Sequence, residues 1–318
     1  MIKKSLIHYY ISFRETGNNI KQSRNFDFAT SRLEARIIRY LHIIEKGLSL
    51  SSPRHGFGVK KIDQLFKYID EYIALNSNEK FCLYMACDAL DAYLKFHQEN
   101  DFNNDDIQNI RSKTEQLRNG LCTKEDVFVC ILTFKKEDLE FSKENFEKVL
   151  RTRHSIRAFS GEQVSEEDIR KAVELAQLCP SACNRQCARV YSISPQKYME
   201  DIGCDLQGIG GFANDVDRFL LITAKKSAYE LDERNQYIVS ASIFAGYLSL
   251  TLHANDIAAC AVQRSVSFNA NWEHFKKING IPEDEQIIMM YAIGRYKDET
   301  IVPVSKRFPV DKVFKKIN

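Results

Sequence analysis

Proline is scarce in this sequence, with 6 residues among 318, and glycine is modest at 13. No stretch has the composition of a long flexible linker, and collagen-like or low-complexity organisation is excluded. A surplus of one charge is also lacking: 45 Lys+Arg stand against 43 Asp+Glu, a formal net charge of +2. Together with 44% hydrophobic residues, that balance excludes an intrinsically disordered chain. Cysteine is odd in number, at 9, and thinly spread, and the start MIKKSLIHYYISFRE holds only a short apolar run. A secreted disulfide framework is therefore not expected; reduced thiols in the cytoplasm are. The chain has no zinc-knuckle pair, Walker loop, Gly-x-Ser-x-Gly elbow or His-Glu-x-x-His pair, so no metal site and no catalytic protein nucleophile is assigned.

The charge that is present is uneven. Residues 1–61 carry a net +8, residues 62–150 a net −7, and the remainder a net +1. No recognition motif or basic-aromatic repeat accompanies the basic start, so pairing between the two oppositely charged segments is expected, and nucleic-acid binding is not. Residues 235–255 contain no Asp, Glu, Lys or Arg. Their length matches the roughly 20 residues of a membrane-crossing helix. They also hold Asn235, Gln236, Ser240, Ser242, Ser249, Thr251, His253 and Asn255. That polarity points to a core helix inside protein, at a subunit interface, and not to an integral membrane span.

Leu33, Ile37, Leu41, Ile44 and Leu48 recur at helical spacing, ended by Gly47 and the Ser51–Gly58 stretch. Further stripes are Ile62, Leu65, Phe66, Ile69 and Ile73; Phe81, Tyr84, Met85, Leu90 and Leu94; and Ile107, Ile110 and Leu117. Residues 1–140 thus read as all-α. After about residue 140 helices and strands interleave. Ser142 and Ser165 are candidate N-caps, 189–193, 219–223, 257–262 and 287–293 read as strands, and Trp272 and Phe275 sit on a further helix. The organisation expected is a helical region, 1–140, followed by an α+β region, 141–318.

Three clusters could carry chemistry. Arg151–Phe159 packs Arg151, Arg153, Arg157, His154 and Ser155 into nine residues at a helix edge. Guanidinium forks suit phosphate oxygens. Cys179–Cys187 spaces three cysteines four residues apart, which fits neither iron–sulfur nor zinc spacing, and its Ser, Asn and Gln make a polar ligand-binding loop. Gly208-Ile-Gly210-Gly211-Phe-Ala213 is a formal dinucleotide fingerprint. It follows a helical stretch and leads at once into a strand, so a turn is expected there. His253, within the uncharged helix, reads as a satisfied core histidine.

In order, these clusters resemble the FMN-dependent nitroreductase family. Its pattern opens with Arg-x-Arg-x-Ser-x-Arg-x-Phe, here Arg151–Phe159, and continues with Pro-Ser-x-x-Asn-x-Gln, here Pro180–Gln186. A long central helix and a strand with a small-residue turn follow, and a strand ending in Gly294 precedes the basic pair Lys306-Arg307. The whole chain resembles a subgroup with a helical N-terminal extension. The resemblance implies an α+β fold with a mixed sheet flanked by helices, and a homodimer with FMN at its interface. It implies that Arg153 and Arg307, with Lys306 beside them, hold the FMN phosphate, and that Arg157 sits at the flavin N1/C2 edge. His154 and Ser155 would line the ribityl chain and ring, and Pro180, Ser181, Ala182 and Asn184 would come from the other subunit. Cys260, Ala261 and Gln263 would approach the ring through their turn. The implied reaction passes electrons from NAD(P)H through FMN to a small-molecule acceptor. Three positions depart from the family's usual pattern: Cys187-Ala188, Val239-Ser240-Ala241 and Gln263-Arg264. They favour an alternative, a catalytically altered flavin-binding or scaffold protein acting through its helical extension.

Overall fold

The computed structural model describes residues 28–121, 142–202, 211–263 and 272–317, together with 17, 130–133, 135, 136 and 209. The first helices follow the apolar stripes. Leu33, Ile37, Leu41, Ile44 and Leu48 are all buried along α1, Ala29–Leu48. With α2 (Val59–Ala74), α3 (Phe81–Glu99) and α4 (Asp105–Gly120) they close one apolar core. Two stripe residues lie elsewhere: Ile73 and Phe81 are exposed, and α3 instead buries Cys82, Ala86, Tyr93 and His97 alongside Leu90 and Leu94.

Buried His97 holds the chain between α1 and α2 against α3. Its Nε2 accepts the Gly56 N–H at 2.8 Å, and its Nδ1 faces the Tyr93 carbonyl at 2.8 Å. Gly56 has φ +67°, which glycine adopts without cost. Tyr93 donates to the Phe57 carbonyl at 2.7 Å, and the Phe57 ring fills the space a side chain at Gly47 would need.

The second half contains α5 (Lys143–Thr152), α6 (Glu166–Gln177), α7 (Pro195–Ile202), α8 (Gln236–Ala254), α9 (Trp272–Ile278) and the short α10 (Val310–Val313). Ser142 and Ser165 cap α5 and α6, accepting the N–H groups of Asn145 at 3.2 Å and Asp168 at 3.1 Å. The strands are β1 (Ala188–Ile193), β2 (Arg218–Lys225), β3 (Ile257–Ala261) and β4 (Glu285–Arg295), in the order β1-β2-β4-β3. The fold is α+β. Every strand pair among the described residues is antiparallel, so the sheet expected to be mixed is antiparallel there. Strand side chains alternate between faces. Leu220, Ile222 and Ala224 of β2 enter a core with α6 and α8, whereas Phe219 and Leu221 enter another with α7 and α9. Both faces of the sheet are covered.

Two expectations are modified. The uncharged segment forms α8, the one helix among the described residues long and apolar enough to cross a bilayer by length and composition. Ser240, Ala241, Phe244, Ala245, Leu248 and Leu252 are buried, but Ile238, Val239, Ile243 and Tyr247 form an exposed apolar face, so α8 is a core helix on one side only. The basic start does not pair solely with the acidic segment that follows it. Arg36 of α1 donates through Nε to Glu230 Oε1 at 2.9 Å, in the second half of the chain.

The His97 geometry makes stability depend on pH. Protonating Nε2 would break the Gly56 bond and place a charge among Phe57, Phe96 and Phe102. Burial, aided by nearby His55 and opposed by the Tyr93 carbonyl, holds the His97 pKa below its ordinary value. Between the folded value and about 6.5 the unfolded chain binds the extra proton, so this stabilisation is complete above about 6.5 and falls as pH drops below it. The urea midpoint should be lower at about pH 5 than at about pH 7.5, and the drop should be smaller in His97→Gln. Equal drops in both proteins would exclude His97 as the source.

Candidate functional site

The arginine cluster leaves α5 at Arg153 and runs extended beside the sheet. Ile156 N–H donates to the Ala259 carbonyl and Ser160 N–H to the Arg295 carbonyl, each at 3.0 Å. Ile156 and Phe159 are buried anchors, and Phe159 lies against Gly294, where an added Cβ would fall 2.7 Å from its ring. That close approach explains the glycine at this position in β4. Just before the anchors, Arg153, His154 and Ser155 turn to a small pocket of about 70 Å³, also lined by Ser249, His253, Ala259, Ala261, Tyr291 and Tyr296.

His253 has both ring nitrogens engaged. Thr152 Oγ1 gives its single proton to the Lys148 carbonyl at 2.7 Å, so at 2.8 Å from His253 Nε2 it accepts. Nε2 therefore carries the hydrogen, and Nδ1 accepts from the Tyr296 hydroxyl at 2.7 Å. Burial, then the charges of Arg153 and His154, push the His253 pKa down, which favours this neutral tautomer. Burial raises Tyr296 to about 12, with Asp256 adding and Arg153 opposing, so the hydroxyl keeps its proton. Tyr291 is likewise raised to about 12, chiefly by burial, and donates to the Ala245 carbonyl at 2.9 Å. The pocket thus joins the Arg153 cation and the Ser155 hydroxyl to a wall of uncharged groups, a set suited to a small anion. His253, Tyr291 and Tyr296 escaped the sequence reading as site residues because they lie about a hundred positions or more from Arg153, with no local motif.

The remaining candidate residues are distributed as follows. Arg157 is exposed, with NH1 3.4 Å from the Ser155 carbonyl. Cys260 is buried in the core on the other side of the sheet, so its side chain does not enter the pocket, whereas its neighbour Ala261 does. Gln263 is exposed and donates to the Ile288 carbonyl at 3.0 Å. Lys306 and Arg307 lie exposed on the C-terminal arm and do not line the pocket. Pro180, Ser181, Ala182 and Asn184 form a separate loop, and within one chain they do not join the Arg153 pocket. In the glycine-motif segment, Gly208 and Gly210 lie outside the described residues, as does Arg264.

The 180–186 loop carries unusual backbone. Cys183, Asn184 and Gln186 have φ of +53°, +54° and +46°. Non-glycine residues enter this region only where surroundings hold them there. Here Gln186 N–H donates to Ser181 Oγ at 3.0 Å, and Ala182 N–H to Ser240 Oγ at 3.3 Å. Arg185 is the anchor. Its Nε donates to the Ala182 carbonyl at 3.1 Å and NH1 to the Ala228 carbonyl at 3.1 Å. NH1 and NH2 form a bidentate pair with Glu233, both at 2.7 Å, while the guanidinium lies 4.0 Å over the Tyr229 ring. The Arg185 bond, opposed by burial, holds the Glu233 carboxyl at about 2. Ser240 also accepts from the Tyr229 hydroxyl at 2.9 Å. Ser240 of α8 therefore fastens this loop.

Arg185 is almost wholly buried while Glu233 is partly open to water, so removing the arginine forfeits charge-assisted hydrogen bonds at a cost of about 1.5–3 kcal/mol. Arg185→Ala should destabilise the protein by that amount in chemical unfolding, whereas Arg170→Ala, which breaks the exposed pair with Glu166, should change stability by less than about 1 kcal/mol. Comparable losses in the two variants would remove the special role of Arg185.

Among solved structures, the chain is similar to an FMN-dependent nitroreductase from Clostridium difficile at 21% identity, over 54% of this chain and 98% of that one, with a TM-score of 0.44. It is similar to a nitroreductase with bound FMN from Desulfitobacterium hafniense at 19% identity, over 56% and 100%, with a TM-score of 0.44. It is also similar to a nitroreductase-like protein from Streptococcus mutans at 16% identity, over 55% and 98%, with a TM-score of 0.47. No curated protein matches the chain. Residues 150–209, which hold the arginine cluster, the 180–186 loop and β1, match the model of the nitroreductase family.

Proposed function

We propose that the protein is an FMN-dependent oxidoreductase of the cytoplasm that works as a homodimer. The observation that carries this reading is the Arg153 pocket, together with the family match of the segment that contributes Arg153, His154 and Ser155 to its wall. The donor set fits a phosphate monoester: Arg153 and Ser155 bring a guanidinium and a hydroxyl to a cavity of about 70 Å³, and the His253–Tyr296 pair, whose own protons are already engaged, forms an uncharged wall. That volume suits one phosphate-sized group and falls far below the roughly 300 Å³ at which whole-cofactor pockets begin. The flavin ring would lie outside it and need cover from a second chain. The exposed apolar face of α8 and the exposed Ile301, Val304 and Phe308 of the C-terminal arm offer that cover.

Bound FMN would supply hydride acceptance from NAD(P)H and electron delivery to a small-molecule acceptor. The chain's own residues orient and polarise. Arg153 and Ser155 bind the phosphate, and Lys306 and Arg307 of the exposed C-terminal arm add charge to it. Arg157, which has no carboxylate partner among the described residues, provides a cation at the flavin edge that favours the reduced anionic form. The division of the chain into a helical extension, 1–140, and a flavin-binding region, 141–318, belongs to the same proposal, as does a partner-derived role for Pro180, Ser181, Ala182 and Asn184.

The purified protein should be yellow and release FMN, not FAD, on denaturation. Arg153→Ala should weaken FMN binding at least tenfold, the cost of a lost charge-assisted hydrogen bond. Arg151→Ala should have little effect, since Arg151 is exposed and pairs with Glu147 at 3.8 Å. Colourless protein that takes up no added FMN would overturn the reading.

Assembly is tested on the exposed face of α8. Ile243→Glu adds a charge where the single chain is open to solvent, so the fold should survive. Sedimentation should show a wild-type dimer and a monomeric, flavin-depleted variant. A dimeric variant that retains its flavin would place the interface elsewhere.

A further inference from the structure

The larger cavity described lies elsewhere. It has a volume of about 330 Å³ and sits between α1 of the helical region and α6, β1 and α8 of the second half. It shares no lining residue with the Arg153 pocket. Its size is that of a small-ligand site. Its walls are apolar, with Ile38, Phe81, Val173, Val190 and Phe244 contributed by five different elements.

The polar part is charged and asymmetric. Lys225 N–H donates to the Cys187 carbonyl at 2.9 Å, which sets Lys225 two strand positions from Arg189 on the neighbouring strand. Both residues line the cavity, and their charged ends lie against other lining residues, with no carboxylate ion pair among the described residues: Arg189 NH1 donates to the carbonyls of Gln186 and Ala188, and Lys225 Nζ lies 3.4 Å from Ser31 Oγ. The third lining cation, Arg185, is neutralised by Glu233. One carboxylate, Glu34 of α1, completes the lining. Two available cations against one carboxylate leave a net positive rim on an apolar chamber.

We infer that this cavity is a second ligand site, which takes a small apolar molecule bearing a single carboxylate or comparable anionic group. The apolar body fills the space between Ile38, Val173 and Phe244, and the anion lies between Arg189 and Lys225. The helical extension supplies one wall, so the site exists only in the full chain. The inference rests on this cavity alone and holds whether or not the Arg153 pocket takes FMN.

Decanoate is the probe, titrated calorimetrically into the full-length protein, with decanol as the uncharged control. Saturable one-to-one binding of decanoate is expected, at least tenfold tighter than that of decanol. Lys225→Gln should weaken decanoate binding about tenfold and Glu34→Gln should tighten it, a pair of opposite shifts that loss of folding cannot produce. Val173→Trp, checked for native circular dichroism, should abolish binding by filling the chamber. Absence of saturable decanoate binding, equal affinity for decanol, or decanoate binding indifferent to Lys225→Gln and Glu34→Gln would each overturn the proposal.

Discussion

The bidentate pair between Arg185 and Glu233 holds together parts of the molecule that lie far apart in sequence. Arg185 has a side chain only 3% exposed, so its charge is almost wholly removed from water. Such burial is costly unless every donor is used. Glu233, the carbonyls of Ala182 and Ala228, and the Tyr229 ring satisfy the guanidinium from several sides. In doing so they join the 180–186 loop to the segment that leads into α8. Glu233 Oε2 also accepts the Glu230 N–H at 2.9 Å, and Glu230 in turn receives Arg36 of α1. One charge pair thus connects a strained loop, the start of the central helix and the helical extension.

The same connection explains what the sequence made legible. Stripes and caps are local signals, so α1, α2, α4, α5 and α6 and all four strands were readable from spacing and from Ser142 and Ser165. The helix α3 was readable as a helix but not in its buried face. Its aromatic Phe81 looked like core, whereas His97, a polar residue, took a core position because Gly56 and Tyr93 satisfy both its nitrogens. Arg153, His154 and Ser155 were readable as a cluster because they are adjacent in sequence. The rest of their pocket comes from α8, β3, β4 and Tyr296 just beyond it, and no short-range pattern links His253 or Tyr296 to Arg153. Arg185 and Glu233 stand 48 residues apart, and nothing in the loop sequence distinguishes Arg185 from a surface cation. Charge totals by segment could not reveal Glu230 as the partner of Arg36 for the same reason: a net charge is a sum, while an ion pair is a contact.

The uncharged helix α8 shows how composition and placement separate. Freedom from charge along its whole length suggested burial all round. One face is indeed core, but the other leaves Ile238, Val239, Ile243 and Tyr247 in solvent. A helix buried on both sides needs protein on both sides. Within one chain, α6 and the sheet supply only the first.

The helix α1 belongs to two cores at once. Ile37 and Leu41 are buried among α2, α3 and α4, while Ala35, on the same helix, is buried with α6, α8 and the sheet. This shared membership bears on ancestry. A helical extension joined only at its end could be gained or lost in a single genetic event, leaving its neighbour intact. Loss of α1 would instead uncover Ala35's neighbours, leave Glu230 without Arg36 and open one side of the larger cavity. A lineage that sheds the extension must therefore reshape the surface beneath it, and variation in α1 should track variation in the 226–235 segment and in the loop that Arg185 holds.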